Sequence, residues 1–133
     1  MNKIILTVSI MALSGTLPAQ ESPTTPKAAH VKISQGPEIE LAREFLTIIR
    51  WTVNNPGGSP VHYGIVRYGS DPKDLRETAR NPIRLNHAHP STVFRVRLDD
   101  LKPRTTYYYT VSSIEANGKI DGVTSPVSNF TTP

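Results

Sequence analysis

Leu98-Asp99-Asp100-Leu101-Lys102-Pro103-Arg104-Thr105-Thr106-Tyr107 is the stretch whose reading decides the fold. Two leucines three apart close one strand, a proline stops that strand from continuing, and a tyrosine four residues later opens the next. A phenol in that place reaches back to the main chain across the bend between two sheets, the arrangement called a tyrosine corner. The strand that follows continues through Tyr108, Tyr109, Thr110 and Val111, with Tyr107, Tyr109 and Val111 inward and Tyr108 and Thr110 outward. Ahead of the corner, Thr92, Phe94, Val96 and Leu98 alternate with Val93, Arg95 and Arg97, the period-two pattern of a half-buried strand.

Further strands flank this pair. Phe45 to Val53 is β-branched and aromatic and ends in the turn cluster Asn54 to Pro60. Its Trp51 is the only tryptophan. As a core anchor it places Thr47, Ile49 and Val53 inward with it, and Leu46, Ile48 and Arg50 outward. Val61 to Tyr68 reads as a third strand, and the polar run Leu75 to Leu85, interrupted by Pro82, as a short irregular edge strand. Val31 and Ile33, then Ile39 and Leu41, describe an edge strand split at Gly36-Pro37. Val127 and Phe130 mark a last strand, kinked near Pro126. No stretch has sustained helical periodicity. About seven short antiparallel strands predict an all-β, immunoglobulin-like two-sheet β-sandwich.

Leu101, Pro103, Thr105 and Tyr107 stand at the spacing of the same corner in fibronectin type III domains, which the chain resembles. Trp51 and Leu98 complete the structural set that this resemblance implies. Val66-Arg67-Tyr68-Gly69-Ser70-Asp71-Pro72, with Leu75 after it, is similar to a strand and turn of the N-terminal fibronectin-like domain of purple acid phosphatases. The run Tyr107-Tyr108-Tyr109 and the ending Phe130-Thr131-Thr132-Pro133 fit the same group, so the resemblance covers Val31 to Pro133. The hydrolytic activity of those enzymes belongs to a separate metal-binding domain with Gly-Asp-any-Gly and Gly-Asn-His clusters. Neither cluster occurs here. The resemblance therefore implies the fold without the activity.

The N-terminus reads differently. Met1-Asn2-Lys3 is positive, Ile4 to Leu13 is mainly apolar, and Leu17-Pro18-Ala19 ends in a small residue, the pattern of a secretory signal peptide over residues 1–19. The apolar run falls well short of the roughly 20 residues a membrane-spanning helix needs. Residues 20–29, rich in proline and threonine, read as a flexible linker, which leaves 30–133 as the domain. The expected location is secreted or periplasmic. Although export permits disulfides, the chain has no cysteine, so it holds by packing and hydrogen bonds. A net charge of +4 suits attraction to acidic surfaces better than nucleic-acid binding.

Catalytic motifs are missing. His87-Ala88-His89 offers two imidazoles on one side, where a zinc site takes about four ligands, and reads as a polar loop. The serines lack a nucleophile elbow, there is no phosphate-binding glycine loop, and Asp99-Asp100 reads as a solvated turn. The expectation is a non-catalytic monomer without metal or cofactor. Two surfaces are candidates for a protein or glycan partner. Tyr63, Ile65 and Arg67 lie beside Tyr108 and Thr110 on one outer face, and these residue types favour interfaces. On the opposite sheet, Arg50, Arg95 and Arg97 form a basic stripe that Glu38, Glu40 and Glu44 are placed to neutralise. Three roles follow: an exported binding module, an accessory half of a metallophosphatase, or a carbohydrate-binding module.

Overall fold

Strict alternation in the sequence becomes two packed layers of strands. The computed structural model describes residues 26–133, so the signal-peptide reading and residues 20–25 of the linker lie outside the described residues. Among the described residues there are eight strands: β1 (Ile33–Ala42), β2 (Leu46–Asn54), β3 (Val61–Gly69), β4 (Glu77–Arg84), β5 (Ser91–Asp99), β6 (Thr106–Glu115), β7 (Ile120–Thr124) and β8 (Ser128–Thr131). One sheet has the order β1-β2-β5. The other has the order β4-β3-β6-β7, with β8 also paired to β6. Every pairing is antiparallel.

The eighth strand refines the expectation of seven. β7 and β8 run along the same side of β6 and divide at Ser125-Pro126-Val127, where a proline cannot donate to the ladder. Ser125 bridges the break: its backbone N–H donates to Val111 O at 2.9 Å, and its hydroxyl accepts from Val111 N at 2.9 Å.

Inward positions follow the predicted alternation. Thr47, Ile49, Trp51 and Val53 on β2 are buried, as are Thr92, Phe94, Val96 and Leu98 on β5. Trp51 stacks on Phe94 with ring centroids 5.3 Å apart. Its indole N–H has no hydrogen-bond partner among the described residues, so packing alone holds the ring. The facing sheet makes room at Gly64, where an added Cβ would come within 3.0 to 3.2 Å of Phe94, Trp51 and Val96. The second aromatic group joins Tyr107 and Tyr109 to Phe130 at 5.7 and 5.8 Å.

The corner closes as the sequence predicts. Tyr107 Oη accepts from Lys102 N at 2.8 Å, while Leu98 and Leu101 are buried beneath it. Thr105 Oγ1 donates to Pro103 O at 2.9 Å. The C-terminus is tied into the same bend, since the Thr132 hydroxyl donates to Lys102 O at 2.6 Å and accepts from Thr105 N at 2.9 Å.

The linker reading through Ala29 needs a correction. Ala28 N donates to Pro56 O at 2.8 Å, and Lys27 Nζ reaches Asp121 Oδ1 at 3.0 Å. This segment crosses Gly57 so closely that a Cβ there would lie 2.1 Å from Pro26 O. The run is polar and proline-rich, yet the Ala28 main chain and the Lys27 side chain find partners on the domain, so this part of the segment lies against it.

Candidate interaction surface

Cross-strand register decides which outward side chains are neighbours. On the outer face of the larger sheet the rows are Arg84 with Val61, Pro82 with Tyr63 and Ile114, Arg80 with Ile65 and Ser112, and Thr78 with Arg67 and Thr110. Tyr108 stands opposite Gly69 and Asn129 at the far end. Ile114 continues the second row onto Ile120. Tyr63, Ile65, Arg67, Tyr108 and Thr110 therefore share one face, and Arg67 lies directly beside Thr110. Tyr63 and Tyr108, however, are six positions apart along the strand pair, roughly 20 Å, and form no common platform.

Several members of this face were not legible in the sequence. Pro82, Tyr63, Ile114 and Ile120 make a band across four strands, and Ile120 is 73% exposed. Arg80 lays its guanidinium over the Tyr63 ring, 5.1 Å from the centroid. Arg67 reaches only the backbone, Leu75 O at 3.4 Å. None of the outward positions in these rows carries a carboxylate, and none of Arg67, Arg80 and Arg84 forms an ion pair among the described residues.

The smaller sheet is different. Arg50 stands opposite Arg95 on one side and Glu38 on the other. Arg95 Nε donates to both Glu40 oxygens, at 2.9 and 3.1 Å, and Arg97 Nε pairs with Asp99. Two of the three arginines of the basic stripe are thus met by acids, from β1 and from β5 itself, whereas Arg50 forms no ion pair among the described residues and its buried Nε has no hydrogen-bond partner there. Glu44 has no ion pair to the stripe among the described residues.

A buried polar cluster joins the sheet to the N-terminal segment. His62 is fully buried, its Nδ1 2.8 Å from Asp121 Oδ2 and its Nε2 2.9 Å from Gly57 O. Ser113 Oγ donates to the same Asp121 oxygen, and Lys27 Nζ lies 3.0 Å from Asp121 Oδ1 and 3.5 Å from Glu115 Oε2. Burial alone raises the Asp121 carboxyl. The hydrogen bonds from His62, Ser113 and Lys27 outweigh it and hold that carboxyl below the usual carboxylate range.

Ser, His and Asp meet here without the geometry of nucleophilic catalysis. The serine bonds to the aspartate and not to the imidazole, and the ring nitrogen that would take its proton is held by Gly57 O. His87 and His89 occupy a turn closed by His89 N donating to Asn86 O at 3.0 Å. Among the described residues no three His, Cys, Asp or Glu side chains stand together as metal ligands. No helix among them is long and apolar enough to cross a membrane.

Residues 46–132, from the start of β2 to one residue past β8, match the purple acid phosphatase N-terminal domain. The chain belongs to that family. The match is to the N-terminal domain alone, with no catalytic family matched. Among solved structures, the sensor domain of the anti-sigma factor RsgI4 of Pseudobacteroides cellulosolvens, in its long form, is similar at TM-score 0.52 and 19% identity. That likeness covers 77% of this chain and 88% of the other. The short form gives TM-score 0.52 and 19% identity over 79% and 96% of the two chains. The fn3 domain of human contactin 1 is similar at TM-score 0.48 and 15% identity over 88% of each. At these identities the sensor-domain likeness concerns the fold alone, and it is the two antiparallel sheets and the tyrosine corner of this chain that make an immunoglobulin-like β-sandwich of the fibronectin type III kind. No curated protein matches the chain.

Proposed function

We propose that this purple acid phosphatase N-terminal domain is an exported, non-catalytic module that acts by binding a partner through the outer face of its larger sheet. The observation that carries this reading is the contrast in charge pairing. Among the described residues Arg67, Arg80 and Arg84 meet no carboxylate, whereas on the other sheet Arg95 and Arg97 are paired to Glu40 and Asp99 and Arg50 alone has no ion pair. A sheet face with unpaired arginines, half-exposed tyrosines and isoleucines has the residue types that dominate protein interfaces. Export rests on the N-terminal pattern Met1 to Ala19.

The test compares retention of partners from the producing cell's secreted fraction. Wild-type protein and Arg97→Glu should retain the same partner, and the double variant Arg67→Glu with Arg80→Glu should lose it. Equal retention by all three contradicts the reading, as does phosphomonoesterase activity that survives substitution of His87 and His89.

The family match favours a second reading. The domain would act as the accessory N-terminal-type domain of a purple acid phosphatase-like metallophosphatase, whose catalytic motifs residues 1–133 do not contain. Co-purification with a protein bearing the missing metal-ligand motifs supports it, and the same outer face would be the contact.

A further inference from the structure

Resting on the binding role given to the larger sheet, we propose that the band Pro82, Tyr63, Ile114 and Ile120 docks a protein whose contact surface has an apolar centre and a carboxylate rim. Arg80 and Arg84 flank this band on its two sides. Apolar and aromatic residues at the centre with arginine around them is the anatomy of a protein interface. Ile120 is 73% exposed, a large aliphatic side chain whose burial only a partner supplies. The flanking arginines lack acids on their own face, so charge complementarity requires the acids to come from the partner.

The same geometry disfavours a glycan. Sugar rings stack on open aromatic faces, but the Tyr63 ring already carries the Arg80 guanidinium at 5.1 Å. Tyr108 stands six positions away along the strand pair and cannot flank the same sugar. An acidic polysaccharide would use the arginines and leave the exposed isoleucine without a contact.

The experiment uses the protein purified from its producing cells and three defined fluorescent probes: a glutamate–tyrosine copolymer, polyglutamate and polygalacturonate. Fluorescence anisotropy should show the glutamate–tyrosine copolymer binding about tenfold more tightly than either other probe. Ile120→Asp, at an exposed position and with its folding checked by circular dichroism, should weaken the copolymer about tenfold or more. Ile120→Ala, which adds no charge, should weaken it less, and Arg97→Glu on the other sheet should change nothing.

Polygalacturonate binding as tightly as the copolymer, with Ile120→Asp without effect and Arg80→Glu disruptive, overturns the protein partner while the larger-sheet reading stands. No loss of binding from either Ile120→Asp or Arg80→Glu overturns both. Absence of copolymer binding overturns the present inference.

Discussion

Each sheet carries three arginines on its strands, Arg50, Arg95 and Arg97 on one and Arg67, Arg80 and Arg84 on the other. Their surroundings differ. β1 lies at the edge of the smaller sheet with glutamates among its outward positions, and Glu40 holds Arg95 with both oxygens. β4 lies at the edge of the larger sheet and brings Arg80 and Arg84, with no acid facing outward beside them. The difference teaches that a count of basic residues does not locate a binding surface. Strand order and register decide whether each charge is satisfied within the domain.

The comparison breaks most completely if the alternation beneath it is wrong. Trp51 and Phe94 fix which side of β2 and β5 is inside, so Trp51→Ala should cost about 3 to 5 kcal/mol in denaturant unfolding. A loss below about 1 kcal/mol would mean that the ring is not central and that both outer faces are misassigned.

A second test concerns the cluster that anchors the N-terminal segment to the larger sheet. Asp121 faces His62 from β3, Ser113 from β6 and Lys27 from the N-terminal segment, with Glu115 on the far side of that lysine. Asp121→Asn removes one partner of a buried pair and should cost about 3 kcal/mol. Because the folded carboxyl is held below the usual range, its contribution is complete above the ordinary carboxylate range and is lost as pH falls through the lower folded value. The variant should therefore show a flatter acid limb in a plot of stability against pH. An unchanged acid limb would place the acid sensitivity elsewhere.

Tyr107→Phe removes the corner hydrogen bond to Lys102 N and should cost about 1 kcal/mol, read as a lower unfolding midpoint with unchanged slope. The smallest effect sharpens the contrast between faces directly. Glu40→Gln leaves Arg95 without its carboxylate and should lower stability by at most about 1 kcal/mol, since the pair is half-exposed. Arg84→Gln, with no pair to lose, should leave stability unchanged within about 0.5 kcal/mol.

Much of this architecture was legible because it is local. Alternation in β2, β5 and β6 and the leucine-proline-tyrosine bend each lie within a dozen residues, and every inward assignment at Thr47, Ile49, Trp51, Phe94, Val96, Leu98, Tyr107 and Tyr109 is buried. The rest depended on pairings distant in sequence. His62 meets Asp121 across 59 positions, a separation at which no spacing signal exists. The β3 and β6 register, which sets Tyr63 against Ile114 and not near Tyr108, follows from the whole fold. β4 lacks alternation, so Arg80, Pro82 and Arg84 gave no hint that they complete the outer face. Residues 27–29 read as linker because the partners that hold Lys27 and Ala28 lie far along the chain.

Side-chain NMR of the arginines tests the contrast between the two faces most directly. The Nε–H groups of Arg95 and Arg97, held by carboxylates, should exchange slowly with solvent, and the Arg95 signal should speed up in Glu40→Gln, while the Arg84 group exchanges fast throughout. Equal exchange at Arg84, Arg95 and Arg97, insensitive to Glu40→Gln, would contradict it.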